Sequence, residues 1–207
     1  MKLIRPLLVL LIFTQLLVLG VGESRAQQRP RQQPIGPIEY ELKAVWLYHF
    51  GNSMFQWEER ANDPFVIAVF GDFPSDLKEQ LEKVERLRIR GRRIIIKQSN
   101  DIEQLKQTQP NILFVTRGND FSERVDDAKD EFENKPVLIV GDFDFEKDRI
   151  PISFSVDPNT RRLKLHRNIT NAVVPEGISF RNEEQIWDRL TNLETIGDED
   201  RTSSIAP

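Results

Sequence analysis

Runs of apolar residues alternate with stretches of helical periodicity through the middle of the chain. Four short segments dominated by apolar side chains predict strands buried on both faces of a sheet, at residues 65–70, 93–97, 112–115 and 137–140. Helices are predicted between them, at residues 74–87, 101–107 and 119–132. Asn100 is expected to cap the second of these helices. Because strands and helices alternate, the chain is predicted to adopt an α/β fold, a three-layer sandwich with a mostly parallel sheet.

The two ends of this predicted domain differ from its middle. An N-terminal helix that is apolar almost all round begins near Tyr40, and Gly51 and Asn52 are expected to end or loosen it. Near the other end, residues 152–156 and 162–166 alternate in polarity around a turn, which predicts a C-terminal hairpin at the sheet edge. Two short helices are expected beyond it, around residues 169–174 and 183–190.

The first 26 residues have the layout of a secretory signal peptide. A basic start at Lys2 and Arg5 precedes a mostly apolar run at residues 7–21. Ser24 and Ala26 then stand where a signal peptidase needs small side chains. The apolar run is shorter than the roughly 20 residues of a membrane span, and an uncleaved anchor is the alternative interpretation. We therefore expect export across the inner membrane and a periplasmic location.

Behind this leader the chain divides into three parts. Residues 27–37 are rich in Gln, Arg and Pro, and they are predicted to form a flexible linker. Residues 38–190 are predicted to form a single domain, which is long enough to bury an autonomous core. Residues 191–207 are polar and acidic, and a disordered tail is expected there.

The composition excludes several kinds of chemistry. The chain has no cysteine and two histidines, so neither a thiol nucleophile nor a structural zinc site can form. The signatures of phosphate loops, dinucleotide-binding turns and serine-hydrolase elbows are absent. We therefore predict no enzyme activity, no cofactor and no metal. The formal net charge is −4 with basic and acidic residues mixed, so we expect no single-signed face and no nucleic-acid partner.

Two Gly-Asp-Phe triplets, at residues 71–73 and 141–143, follow predicted strands. Ligands of open α/β folds bind at the carboxyl edge of the sheet, where the order of the strands reverses. The candidate crevice residues at this edge are Asp72, Phe73, Thr116, Arg117 and Asp142. The plainer interpretation is that glycine permits each turn and aspartate satisfies nearby backbone amides. A phosphorylated receiver domain is excluded because no acceptor aspartate follows the strand at residues 112–115.

The order of the segments carries further information. Lys43 and Ala44 lie in a predicted helix that is rich in aromatic residues, and Trp57 follows a few residues after this helix. The later segments in the same set are residues 65–72, 91–92, 112–115, 137–142, 152–154 and 168–178. In this order they resemble the YfiR-like (HmsC-like) family of periplasmic regulatory proteins. The chain departs from the family at Trp46 and at residues 51–53, and it lacks the cysteine pairs through which some members respond to oxidation.

The resemblance implies a small exported regulator. Typical members bind the periplasmic part of an inner-membrane diguanylate cyclase and hold it inactive, which lowers cyclic-di-GMP and biofilm formation. Similar domains serve as sensory inputs of histidine kinases. We therefore expect the partner to be the extracytoplasmic domain of a membrane signalling protein, and the chain to reach the membrane only through that partner. A homodimer is also considered.

The aromatic residues near the predicted loops are the candidate anchors for such a partner. Large apolar groups outside the core often mark contact surfaces, and aromatic side chains are favoured in interfaces. The hypothesis for the partner-binding residues is Phe55, Trp57, Phe143 and Phe145. Two other classes stay open: a periplasmic small-ligand sensor or carrier that uses the crevice beside Asp72, Arg117 and Asp142, and, ranked last, a hydrolase of unrecognised type.

Overall fold

The computed structural model describes residues 37–57, 64–143, 149–157, 160, 162–167 and 175–180. In chain order, its elements are α1 Pro37–His49, a π-helical turn Phe50–Met54, β1 Phe55–Trp57, β2 Phe65–Phe70, α2 Ser75–Glu85, β3 Arg88–Ile89, β4 Arg92–Ser99, α3 Ile102–Gln107, β5 Ile112–Val115, α4 Phe121–Glu131, β6 Leu138–Gly141, β7 Ile152–Val156, β8 Leu163–Arg167 and β9 Ile178–Phe180. The predicted leader, the helices at residues 169–174 and 183–190, and the tail lie outside the described residues, as does nearly all of the linker.

The main sheet confirms the predicted α/β class. Its seven strands follow the order β3-β4-β2-β5-β6-β7-β8. The five central strands are parallel, and β3 and β8 pair antiparallel at the two edges. The predicted hairpin is therefore at a sheet edge, with Phe154 opposite Leu165. A second, two-stranded sheet joins β1 to β9.

Apolar side chains cover both faces of the main sheet, which gives the predicted three layers. On one face, α1 and α2 pack on strand residues that include Ile67, Phe114 and Phe154. On the other face, α3 and α4 pack on the alternate set, which includes Ala68 and Leu113. The two sets alternate along each strand because successive side chains of a strand point to opposite faces.

The chain reverses its strand order at the carboxyl ends of β2 and β5. After β2 it passes over the α2 face to β4, and after β4 it crosses back over the other face to β5. The segments that follow neighbouring strands β2 and β5 therefore leave toward opposite layers. This is the position at which open α/β sheets form a crevice.

The segment that follows α1 is wider than a regular α-helical turn. We expected Gly51 and Asn52 to end or loosen the first helix, and both residues lie in a π-helical turn, Phe50–Met54, that follows α1 and leads into β1. A Cβ atom on Gly51 would lie 2.7 Å from Ile89 Cδ1 and 2.7 Å from Phe65 Cζ, so a larger residue would force these buried side chains to move. A π turn of this kind often marks a functional position in a helix.

Two local expectations were wrong. Asn100 does not cap α3, because the side chain of Asp101 accepts the hydrogen bond from Glu103 N at 2.9 Å. The charges are also less evenly mixed than expected, since residues 86–100 contain six basic and no acidic side chains. Most of these basic residues lie on β3 and β4, at one edge of the main sheet.

Candidate functional site

A ring of four buried charges joins α1 to the carboxyl edge of the main sheet. Glu39 and Lys43 lie one helical turn apart on α1, Arg117 follows β5, and Asp142 follows β6. Lys43 forms ion pairs with Glu39 and Asp142. Arg117 forms ion pairs with the same two carboxylates, at 3.0 Å to Asp142 Oδ1. Each cation therefore contacts both anions, and the ring carries no net charge.

The ring is almost completely removed from solvent. The side chains of Glu39 and Lys43 have no exposed surface, and those of Asp142 and Arg117 are 2% and 19% exposed. Burial of a charged group is costly unless it is paired and hydrogen-bonded. The complementary charges from three elements meet this requirement, and they fix the first turns of α1 over β5 and β6.

The ion pairs shift the pKa values of Asp142 and Arg117. Burial alone would raise the pKa of Asp142, but the charges of Lys43 and Arg117 outweigh it and hold this pKa below its ordinary value. Burial alone would lower the pKa of Arg117, but Asp142 and Glu39 raise it above its ordinary value. Both side chains are therefore ionised at neutral pH. The pKa of Tyr40 is raised by burial and by the charge of Asp142.

A second buried cation, Arg124 of α4, lies under the turn after β2. Its guanidinium donates to the Phe70 carbonyl at 3.2 Å, to Thr116 Oγ1 at 3.3 Å and to Asp120 Oδ1 at 2.6 Å. Gly71 lies against this group with φ of 109°, and a Cβ there would come within 1.2 Å of Arg124 Nη1. The glycine of the first Gly-Asp-Phe triplet is therefore needed for two reasons: it adopts the positive φ of the turn, and it leaves room for the Arg124 guanidinium.

A cleft of about 240 Å³ opens beside this arginine, at the reversal point of the strand order. Half of the residues that line it are acidic; the lining consists of Phe70, Gly71, Asp72, Asn100, Asp120, Glu123, Arg124 and Asp127. Within the described residues, no group of His, Asp or Glu side chains has the arrangement of a metal site.

The structure divides the predicted crevice residues into two groups. Asp72 is exposed and lines the cleft, whereas Phe73 packs against the main core and Thr116 is buried with its hydroxyl donating to the Phe70 carbonyl at 3.2 Å. Arg117 and Asp142 bind each other and α1 in the ring. These residues all lie at the carboxyl edge, but they do not line one common cleft.

The predicted aromatic anchors do not form one surface. Phe55 is fully buried in the main core, and Trp57 is half-buried, with its indole N–H donating to the Pro136 carbonyl at 2.9 Å. Phe143 is half-buried and packs edge-on against Phe121 at 5.9 Å. Trp57 contacts Pro136, which precedes β6, whereas Phe143 follows β6. The two aromatic side chains therefore lie near opposite ends of that strand. Phe145 lies outside the described residues.

Sequence reasoning missed half of the ring. Glu39 and Lys43 were not singled out as site residues, although they stand four apart in a helix that is otherwise apolar almost all round. That pattern was the available signal, because a charged residue on a buried helix face is rarely found without a partner. Their partners could not be identified from the sequence, since Arg117 and Asp142 lie more than 70 residues away.

One serine–histidine contact bears on the hydrolase alternative. Ser155 Oγ lies 2.7 Å from His166 Nε2 across the β7–β8 hairpin, which is hydrogen-bond distance for a nucleophile and a base. Ser155 is buried, with 4% of its surface exposed. A nucleophilic hydroxyl must be accessible to a substrate carbonyl, and this one is buried. The contact is therefore better suited to joining the two strands of the hairpin.

Comparison with known proteins identifies the family. The YfiR/HmsC-like family model matches residues 40–173, which include most of α1, three of the four ring residues and both sheet edges. The chain belongs to the YfiR/HmsC-like family. Its members are regulatory, non-catalytic proteins of the periplasm, and membership indicates a role in cyclic-di-GMP signalling in general. Among curated proteins, none matches the chain.

Membership also confirms the resemblance inferred from the order of segments. No helix in the described part of the chain combines the length and the apolar character that a membrane span requires.

Proposed function

We propose that this chain is an exported, non-catalytic regulator that binds the extracytoplasmic part of a membrane signalling enzyme, a diguanylate cyclase or a histidine kinase. Family membership over residues 40–173 is the observation that carries the proposal. The signal peptide predicted in the first 26 residues supports the export that this role requires.

The geometry of the carboxyl edge supports a binding role rather than catalysis. Enzymes of this fold class place reactive groups at that edge, where a substrate can reach them. Here Arg117 and Asp142 are engaged by Glu39 and Lys43, and α1 covers them. Their charges hold the fold together and are not presented to a substrate.

A binding protein can regulate an enzyme without any chemistry of its own. It shifts the partner toward the state that it binds more tightly, by as much as its affinities for the two states differ. A difference of about 1.4 kcal/mol changes the ratio of active to inactive partner tenfold. A rigid domain is suited to this task because little conformational entropy is lost when it binds.

Capture from membranes tests the proposal. The exported protein, carrying an affinity tag at its C-terminus, is incubated with detergent-solubilised membranes of its own host, and the retained proteins are identified. We expect a membrane protein with an extracytoplasmic domain and a cytoplasmic cyclase or kinase domain. That protein should also bind in a purified two-component assay. Retention of no such protein would contradict the proposal.

The small-ligand alternative has its own place in the structure, the cleft beside Asp72 and Arg124. It predicts that one class of compound raises the thermal midpoint of the protein and that Asp72→Asn weakens this effect. The ion-pair ring is not accessible for the same purpose, because its members are buried and paired.

A further inference from the structure

One edge of the main sheet carries a concentration of positive charge. We call residues 86–97 the basic hairpin, since they include β3, β4 as far as Lys97 and the turn between these strands. This segment contains Arg86, Arg88, Arg90, Arg92, Arg93 and Lys97 and no acidic residue. The whole chain has a formal net charge of −4, so the basic hairpin has the opposite sign to the rest of the protein.

Two of these arginines serve the fold. Arg90 donates to the Phe55 carbonyl at 2.6 Å and to the Asn52 carbonyl at 3.3 Å, which attaches the hairpin to the π turn and β1. Arg92 donates to the Pro64 carbonyl at 3.0 Å, and its guanidinium lies over the Phe65 ring at 5.2 Å. Stabilisation of the fold therefore accounts for these two side chains.

Within the described residues, stabilisation of the fold accounts for Arg88 only through one hydrogen bond, from its guanidinium to the Gly91 carbonyl at 3.1 Å, and it does not account for Arg93. The two residues are directly opposite each other in the antiparallel pair of β3 and β4, and both are exposed. Like charges at directly opposed positions destabilise a sheet. Within the described residues neither side chain forms an ion pair, so no carboxylate of that part of the chain offsets the repulsion. An anionic surface outside the chain would offset it.

We propose that the basic hairpin docks on the anionic phospholipid surface of a membrane. Guanidinium groups bind phosphate oxygens with several hydrogen bonds, and clusters of four to eight basic residues are typical of proteins that bind anionic lipids. Leu87, between Arg86 and Arg88, is 47% exposed, so an apolar side chain accompanies the charges at the position where it can enter the headgroup layer.

The shape of the basic hairpin favours a bilayer over an acidic protein. Arg90 and Gly91 both have positive φ, at 50° and 81°, which makes a tight turn that joins a two-residue strand to β4. The hairpin therefore presents an edge and a turn, rather than a concave groove that would enclose a peptide. A broad surface of phosphodiester groups needs no groove, because its charges can adapt to the positions of the arginines.

This inference rests on the proposed function and adds an orientation to it. We expected the chain to reach the membrane only through its partner, whereas the basic hairpin gives it a direct contact. A domain held at the bilayer meets the extracytoplasmic part of a membrane enzyme at a higher effective concentration than one free in the periplasm.

Vesicle co-sedimentation tests the inference. The full exported protein is mixed with vesicles of phosphatidylcholine alone or with added phosphatidylglycerol, and the bound fraction is measured at increasing NaCl. We expect binding only to the anionic vesicles and a steep loss of binding with salt. Arg88→Gln with Arg93→Gln should lower the partition coefficient about 25-fold, since each arginine near an anionic surface contributes about 5-fold.

A second pair of substitutions separates position from net charge. Lys78→Gln with Lys129→Gln removes the same two charges from exposed positions of α2 and α4, and should change the partition coefficient by less than about 2-fold. Thermal midpoints of both double variants should stay near that of the parent, because neither pair contributes to the core. If the leader remained attached, it would contribute to vesicle binding equally in all variants. Binding to the neutral vesicles measures that contribution.

Three results would overturn the inference: equal binding to neutral and anionic vesicles, equal losses in the two double variants, or binding to polyglutamate but not to vesicles. The last result would assign the basic hairpin to an acidic protein. If vesicle binding fails while capture of a membrane partner persists, only this inference is wrong. If the reverse occurs, the proposed function is wrong and the lipid contact stands.

Discussion

Lys43 shows how a single buried charge can hold an element in place. It is one of the largest fully buried side chains in the described part of the protein, and it contacts carboxylates from its own helix and from the end of β6. A buried lysine in this position is stable only because it is paired with both carboxylates. The residue therefore links the conformation of α1 to that of the sheet edge.

Replacement of Lys43 by methionine should destabilise the protein strongly. The substitution keeps the apolar stem but leaves two buried carboxylates with only Arg117 as a counterion, and we expect a loss of about 3–5 kcal/mol in the free energy of unfolding. Urea unfolding measures this loss. Lys83→Met removes an exposed lysine that pairs with Glu79 on α2, and it should cost less than about 0.5 kcal/mol. Similar losses for the two variants would contradict the role of the ring.

At the scale of elements, α1 is the part of the fold that the sequence describes least completely. Its apolar pattern predicts burial, and the structure confirms burial for residues such as Trp46 and Leu47. The pattern does not reveal that the helix is also fixed by charges, because the anchoring residues follow β5 and β6. Ion pairs between distant segments leave no periodic signal in a sequence.

The attachment of α1 should weaken in acid. Because the folded pKa of Asp142 is below its unfolded value of about 3.9, the stabilisation is fully present above that value. It is lost as the pH falls through the folded pKa. Asp142→Asn should therefore reduce stability at pH 7 and make the urea midpoint less dependent on pH below about 4.

Comparison between variants is needed here, because other carboxylates titrate in the same range. Glu131 is one of them, since hydrogen bonds from Lys106 and Lys135 lower its pKa to about 2. Asp72→Asn provides a matched control at the exposed end of β2, and its pH profile should follow that of the parent protein. If Asp142→Asn also followed the parent profile, the ring would not be the source of the acid sensitivity.

At the scale of the whole molecule, the strand pattern was sufficient to predict the class of fold. Continuous apolar runs such as residues 65–70 and 112–115 can be buried only between two layers of helices, and this requirement fixes a parallel sheet. The pairing of β1 with β9 was not predictable in this way. Each strand has three residues, and Phe55 and Phe180 are brought opposite each other only by the complete fold.

The candidate site was predicted only as far as its location. Strand ends at Asp72, Thr116 and Asp142 correctly indicated the carboxyl edge of the sheet, because parallel strands all end there. Which of these residues line the cleft and which are buried in the ring depends on where α1 lies. The basic hairpin was missed for another reason. Basic and acidic residues are mixed over the whole chain, but a run of arginines lies within one hairpin, where the pairing of β3 with β4 brings them close together.

Cellular cyclic-di-GMP tests the central claim most directly. It is measured in a strain that lacks this gene, in that strain complemented with the full chain, and in that strain complemented with a form that lacks residues 1–26. If the protein is an exported inhibitor of a diguanylate cyclase, cyclic-di-GMP rises on deletion, the full chain restores the original level, and the leaderless form does not. An unchanged level on deletion, or full restoration by the leaderless form, would contradict the claim.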